Sequence, residues 1–106
     1  MVERYHRIRK KELRGRLREL RKLWNEYDPI GVVKDSDTDD EYEAYIGPHL
    51  SLLERGATDT EIFEHVKGEV TGHIGMTWSP HLAQMTRLFV LRSRKWFETS
   101  PRTRLH

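Results

Sequence analysis

Between Ile8 and Trp24 the apolar residues return at three-to-five-residue steps (Ile8, Leu13, Leu17, Leu20, Trp24), and at Asp28-Pro29 the pattern stops. That period belongs to a helix with one buried stripe. Pro29 ends it, because proline has no N–H to donate and biases Asp28 away from the α region. The spacing predicts a helix from Arg4 to Tyr27, with Gly15 as a weak point costing roughly 1 kcal/mol relative to Ala. The stretch LWNEYDPIGVV that closes this helix packs an aromatic, a proline and a glycine together. A phosphate cradle needs several N–H groups converging on a following helix start, usually through several glycines. Gly31 beside an acid does not supply them. The stretch reads as a helix stop pinned by Trp24, Tyr27 and Ile30.

The same period recurs three times. Tyr42, Ile46, Leu50 and Leu53 predict a second helix over Asp40–Arg55, with Asp39 or Asp40 as N-cap, a kink or split at Gly47-Pro48, and Gly56 as the C-terminal stop. Thr58 with Glu61 is a capping box opening a third helix, which buries Ile62, Phe63, Val66 and Val70 and loosens at Gly68, Gly72 and Gly75. Ser79-Pro80 is an N-cap and N1 pair for a fourth, with a stripe of Leu82, Met85, Leu88, Phe89 and Trp96. No strand-like alternation or internal repeat interrupts this series. The expectation is an all-α, four-helix single domain over residues 1–98, followed by a polar, flexible tail, 99–106.

At 106 residues the chain has room for one modest core, and with 36% hydrophobic against 34% charged residues its surface is dense in charge. The charge is also blocked. Residues 1–24 carry a net +7, residues 25–70 a net −10 and residues 71–106 a net +5. Such asymmetry bears on partners and association rather than on fold, and it favours an acidic middle lying between two basic arms. The absence of cysteine excludes disulfides and thiolate metal sites and fits a reducing, cytoplasmic setting. No apolar run reaches the roughly 18 residues of a membrane span, and the basic N-terminus has no signal-like apolar stretch behind it.

The sequence contains no strong catalytic motif. Its six histidines (His6, His49, His65, His73, His81, His106) lack the glutamate-bearing i, i+4 pair of a zincin helix. Asp35, Asp37 and Asp39 alternate as at the start of a calcium loop, but Asp40 stands where that loop needs glycine and Ile46 where it needs glutamate. No metal, cofactor or enzymatic activity is expected. What stands out is charge. Asp35, Asp37, Asp39, Asp40, Glu41 and Glu43 place six acids within nine residues, a candidate edge for a basic protein partner. Arg7, Lys10, Lys11, Arg14, Arg18, Arg21 and Lys22 cover the polar side of the first helix. They either track a nucleic-acid backbone or pair internally with the acidic block.

The segment LWNEYDPIGVV…DDEYEAYIGPHLSLLERGATDTEIFEHV resembles a bacterial family of short, mostly uncharacterised helical proteins. The shared pattern is W-x-x-x-D-P-I-G-V, then D-E-Y-x-x-Y, a leucine-rich helix, Gly-Ala and a short capped helix, covering about half the chain. The resemblance implies a helical fold and carries over no catalytic residues. The long basic N-terminal helix and the Trp78–Phe97 helix depart from it. Small size, lack of catalytic motifs and strong charge together point to a protein-interaction module, most concretely an immunity-type protein that neutralises a bacterial toxin. A nucleic-acid-associated accessory protein using the basic first helix and the C-terminal arm is the alternative.

Overall fold

The computed structural model describes residues 2–29 and 42–99, with side chains from Lys10 onward. The described residues form four α-helices: α1 (Val2–Tyr27), α2 (Glu43–Glu54), α3 (Asp59–Gly68) and α4 (Pro80–Thr99). Among the described residues there is no strand. Each helix packs on its neighbours in the series, and α4 returns to α1, so the bundle closes on itself. Thr99 still belongs to α4; the remainder of the expected tail, like residues 30–41, lies outside the described residues.

The punctuation read from the sequence is physically present. The helical ladder of α1 runs through to the Asp28 N–H, 2.8 Å from the Trp24 carbonyl, and then Asp28 turns into the left-handed region at φ 42°. Aspartate is among the few side chains that visit this region readily. Here its Oδ1 accepts a 2.6 Å hydrogen bond from the Tyr42 hydroxyl, which ties the end of α1 to the entrance of α2. At the far end of α2, Gly56 takes φ +80° and donates to Leu53, while Ala57 donates to Leu52. Those two bonds form a Schellman cap, which requires the left-handed residue that glycine supplies. Thr58 and Glu61 form the reciprocal capping box at 3.1 and 2.7 Å, and Ser79 Oγ accepts from the Leu82 N–H at 3.1 Å.

Three expectations are corrected. α2 begins at Glu43 with Tyr42 at the N-cap and no side-chain cap; the expected caps Asp39 and Asp40 lie outside the described residues. It also runs unsplit through Gly47 and Pro48, both on the exposed face, where the hydrogen bond that proline cannot donate faces solvent. After α3 the chain does not loosen at Gly68 and Gly72. It continues as a π-helical turn, Glu69–His73, whose widened ladder includes Ile74 N–H to Glu69 O at 2.9 Å, and breaks at Gly75, φ +87°.

Trp24 sits at the centre of the core with no exposure, ringed by Tyr27, Tyr42, Tyr45, His49 and Phe89 at centroid distances of 5.0 to 6.0 Å. Around it pack Leu20, Ile46, Leu50, Leu53, Ile62, Val66, Val70, Leu82 and Val90. Among the described side chains of α1 the stripe is buried toward the C-terminal end. Leu13 is 41% exposed, because the side-chain contacts of α1 with α2 and α4 run from Arg16 onward. In α4 the buried face is Leu82, Thr86, Phe89, Val90 and Ser93, so the expected core residue Leu88 is instead 55% exposed.

Candidate interaction surfaces

On α1 the cations divide into two sets. Arg16 turns inward to Glu54 at 2.6 Å, and Arg21 lies 3.2 Å from Glu43 across the α1–α2 contact. Internal pairing with the acidic block is therefore present at these two positions, and Arg21, a candidate nucleic-acid contact, is engaged with Glu43. Lys10, Lys11, Arg14, Arg18 and Lys22 are exposed and form no ion pair among the described residues. Lys10, Arg14, Arg18 and Lys22 fall at successive four-residue steps, so they line one side of the helix at intervals of about 6 Å. The side chain of Arg7 lies outside the described residues, as do Asp35, Asp37, Asp39, Asp40 and Glu41. Glu43 alone of the acidic run is described, exposed in the first turn of α2.

Two described acids of α1 contact α4. Glu19 accepts from Trp96 Nε1 at 2.8 Å, and Glu26 lies 3.6 Å from Arg92. Both contacts join α1 to α4.

Inside the core, Trp24 Nε1 lies 3.1 Å from His49 Nδ1, and His49 Nε2 lies 3.0 Å from Ser93 Oγ. An indole N–H only donates, so Nδ1 must accept; Nε2 then carries the proton and donates to Ser93, which in turn donates to the Val90 carbonyl at 2.9 Å. A serine nucleophile needs a histidine that takes its proton. In this buried chain the proton order runs the other way, and the arrangement is a satisfied structural network. Burial holds His49 neutral, its pKa pushed down to about 3, first by desolvation and then by the nearby charges of His65 and Arg94. A parallel chain runs from the Tyr27 hydroxyl to Thr86 Oγ1 at 2.6 Å and from Thr86 to the Leu82 carbonyl at 2.7 Å. Desolvation pushes the Tyr27 pKa up to about 12, opposed by that hydrogen bond.

His65 and His73 flank Glu69, at 3.7 and 2.7 Å, and His73 stacks on Tyr45. His81 is exposed. Among the described residues no three histidine, aspartate or glutamate side chains are placed to hold a metal ion. No described helix is long and apolar enough to cross a membrane.

One surface is absent from the sequence reading. Between α3 and α4 an open cleft of about 320 Å³ is lined by Asp59, Thr60, Phe63, Arg87, Val90 and Leu91. Arg94 braces its end, bonding Asp59 at 3.0 Å and the Ala57 carbonyl, while Arg87 lies over the Phe63 ring at 5.7 Å. Leu91 is 48% exposed at this edge, and Leu88, on the same helix, is also exposed. The available signal was the spacing Thr86, Phe89, Val90, Ser93, which turns Leu88 and Leu91 outward once small hydroxyl residues count as core.

Compared with protein-family models, curated proteins and solved structures, the chain matches none.

Proposed function

We propose that this chain is a non-enzymatic protein-interaction module acting in the bacterial cytoplasm. Its most concrete form is an immunity-type protein that binds and neutralises a cognate toxin. The observation that carries the reading is the register of α4, which buries Thr86 and Ser93 while leaving Leu88 and Leu91 at 55% and 48% exposure. A helix that presents two neighbouring leucines beside an open cleft provides the apolar centre that protein interfaces share. The acidic run Asp35, Asp37, Asp39, Asp40, Glu41 and Glu43 adds the charge that steers a basic toxin surface into place. The motif resemblance to short bacterial helical proteins is consistent with this role.

The test is co-expression with the product of the adjoining gene. The expected result is rescued growth and a co-eluting complex, both lost in Leu88→Asp/Leu91→Asp while the helical circular dichroism spectrum persists. Equal rescue by that variant would remove the α4 face from the interface. No complex and no rescue with the wild-type chain would overturn the immunity reading.

A further inference from the structure

We infer that the exposed cation face of α1 binds the phosphate backbone of duplex DNA without reading its sequence. The face consists of Lys10, Lys11, Arg14, Arg18 and Lys22, all exposed and none of them in an ion pair among the described residues. It shares no residue with the α3–α4 cleft, so it does not depend on the interaction proposed there.

Three observations favour this occupant. The first is geometric. From Lys10 to Lys22 the helix rises about 18 Å, and at 3.6 residues per turn the five cations spread over an arc of roughly 120°. Lys10 and Arg14 edge one side of the arc, and Lys11 and Lys22 the other. A helix about 10–12 Å across fits the roughly 12 Å major groove of B-DNA, and cations on both edges of its outer face then meet phosphates on both lips. The deep, narrow major groove of A-form RNA does not admit it.

The second observation is electrostatic. Among the described acids near the face, three have contacts elsewhere: Glu19 with Trp96, Glu26 with Arg92 and Glu43 with Arg21. Five like charges within one helix face repel one another in the isolated protein, and a polyanion relieves that repulsion. The third is what the face lacks. A membrane-surface helix sets apolar residues beside its cations to enter the bilayer. In α1 Leu20, Trp24 and Tyr27 are buried in the core and Leu17 packs against it, so among the described side chains Leu13 is the one large apolar residue exposed beside the cations, and a single leucine makes no such wedge. Single-strand binders add exposed aromatic platforms, and none of the five residues is aromatic.

The test is fluorescence anisotropy with a 20-base-pair DNA duplex of arbitrary sequence, using the full chain across a salt series. Five phosphate contacts give a slope of log affinity against log salt near −4.5, so raising salt from 50 to 200 mM weakens binding about 500-fold. The variant Arg14→Gln/Arg18→Gln removes two contacts. Its slope should flatten to about −2.7 and its loss over the same range to about 40-fold. Lys10→Gln/Lys22→Gln should do the same, and Lys95→Gln, an exposed cation of α4, should change nothing. All three carry exposed substitutions, and circular dichroism confirms their fold. The inference is overturned by no binding at 50 mM salt, by an unchanged slope in both double variants, or by tighter binding of duplex RNA, single-stranded DNA or phosphatidylserine vesicles than of duplex DNA.

Discussion

Replacing His49 with glutamine should flatten the acid side of the stability profile of this protein. His49 has no exposure, accepts from Trp24 through Nδ1 and donates to Ser93 through Nε2. A proton added to Nδ1 would face the indole N–H, and the charge would sit in a desolvated core near Arg94. The folded-state pKa is accordingly down to about 3 from an ordinary 6.5. Between those values the unfolded chain binds a proton that the folded chain refuses, so stability is complete above pH 6.5 and falls as the pH drops. The slope is about 1.4 kcal/mol per pH unit. From pH 7 to pH 5 the loss attributable to His49 is about 2 kcal/mol, against a typical domain stability of about 5–15 kcal/mol. The assay is urea unfolding followed by circular dichroism at half-unit pH steps. In His49→Gln the side-chain amide offers one acceptor and one donor for the same two partners and does not titrate. The other five histidines are common to both proteins and cancel in the difference. The variant should therefore be less stable at pH 7 yet lose about 2 kcal/mol less on going to pH 5. Parallel profiles would refute the buried neutral histidine and the proton order assigned to the chain.

Further perturbations separate the remaining contributions. Trp24→Ala should cost roughly 3–5 kcal/mol in urea unfolding, as expected for a large core aromatic. Trp24→Phe keeps a ring but orphans His49 Nδ1 and should cost about 1–3 kcal/mol; a loss under about 0.5 kcal/mol would mean that the indole bond contributes little. At the alkaline end, Tyr27 with its pKa near 12 keeps a proton that the unfolded chain releases near 10, so stability should fall as pH rises through that window. Tyr27→Phe should remove that fall. Gly56→Ala, at φ +80°, should lower stability by about 1 kcal/mol, whereas Gly72→Ala, where an added Cβ meets nothing within 4 Å, should raise it by about 0.5–1 kcal/mol.

Which parts of this fold are legible in the sequence follows from how local their causes are. The stop at Asp28-Pro29, the Gly56 cap, the Thr58–Glu61 box and the Ser79-Pro80 start each depend on a few adjacent residues, and all four stand where the sequence places them. The π-helical turn was not legible. Gly68 and Gly72 argue locally for a loosened end, yet the ladder widens and continues, burying Val70 in the core before Gly75 breaks it. The cations of α1 were legible as a set but not in their division. Arg16 and Arg21 differ from Arg14 and Arg18 only by what α2 brings within reach.

The α4 register shows why the candidate surface escaped the pattern while the core did not. Leu82 and Phe89 are fixed in the core by any helical stripe, but the residues flanking them offer two choices: Leu88 about 100° to one side of Phe89, or Val90 about 100° to the other, with Thr86 and Ser93 between. Counting apolar residues favours Leu88. Counting hydrogen bonds reverses the choice, because Thr86 returns its proton to Leu82 O and Ser93 to Val90 O, so neither hydroxyl enters the core unsatisfied. Each then offers its oxygen as an acceptor, Thr86 to Tyr27 and Ser93 to His49. The acceptors are needed only because α1 supplies Tyr27 and α2 supplies His49, partners 59 and 44 residues away. The exposure of Leu88 is thus a consequence of polar pairing across the core. The surface proposed for a partner and the buried network that is closed to solvent are two faces of one choice of register.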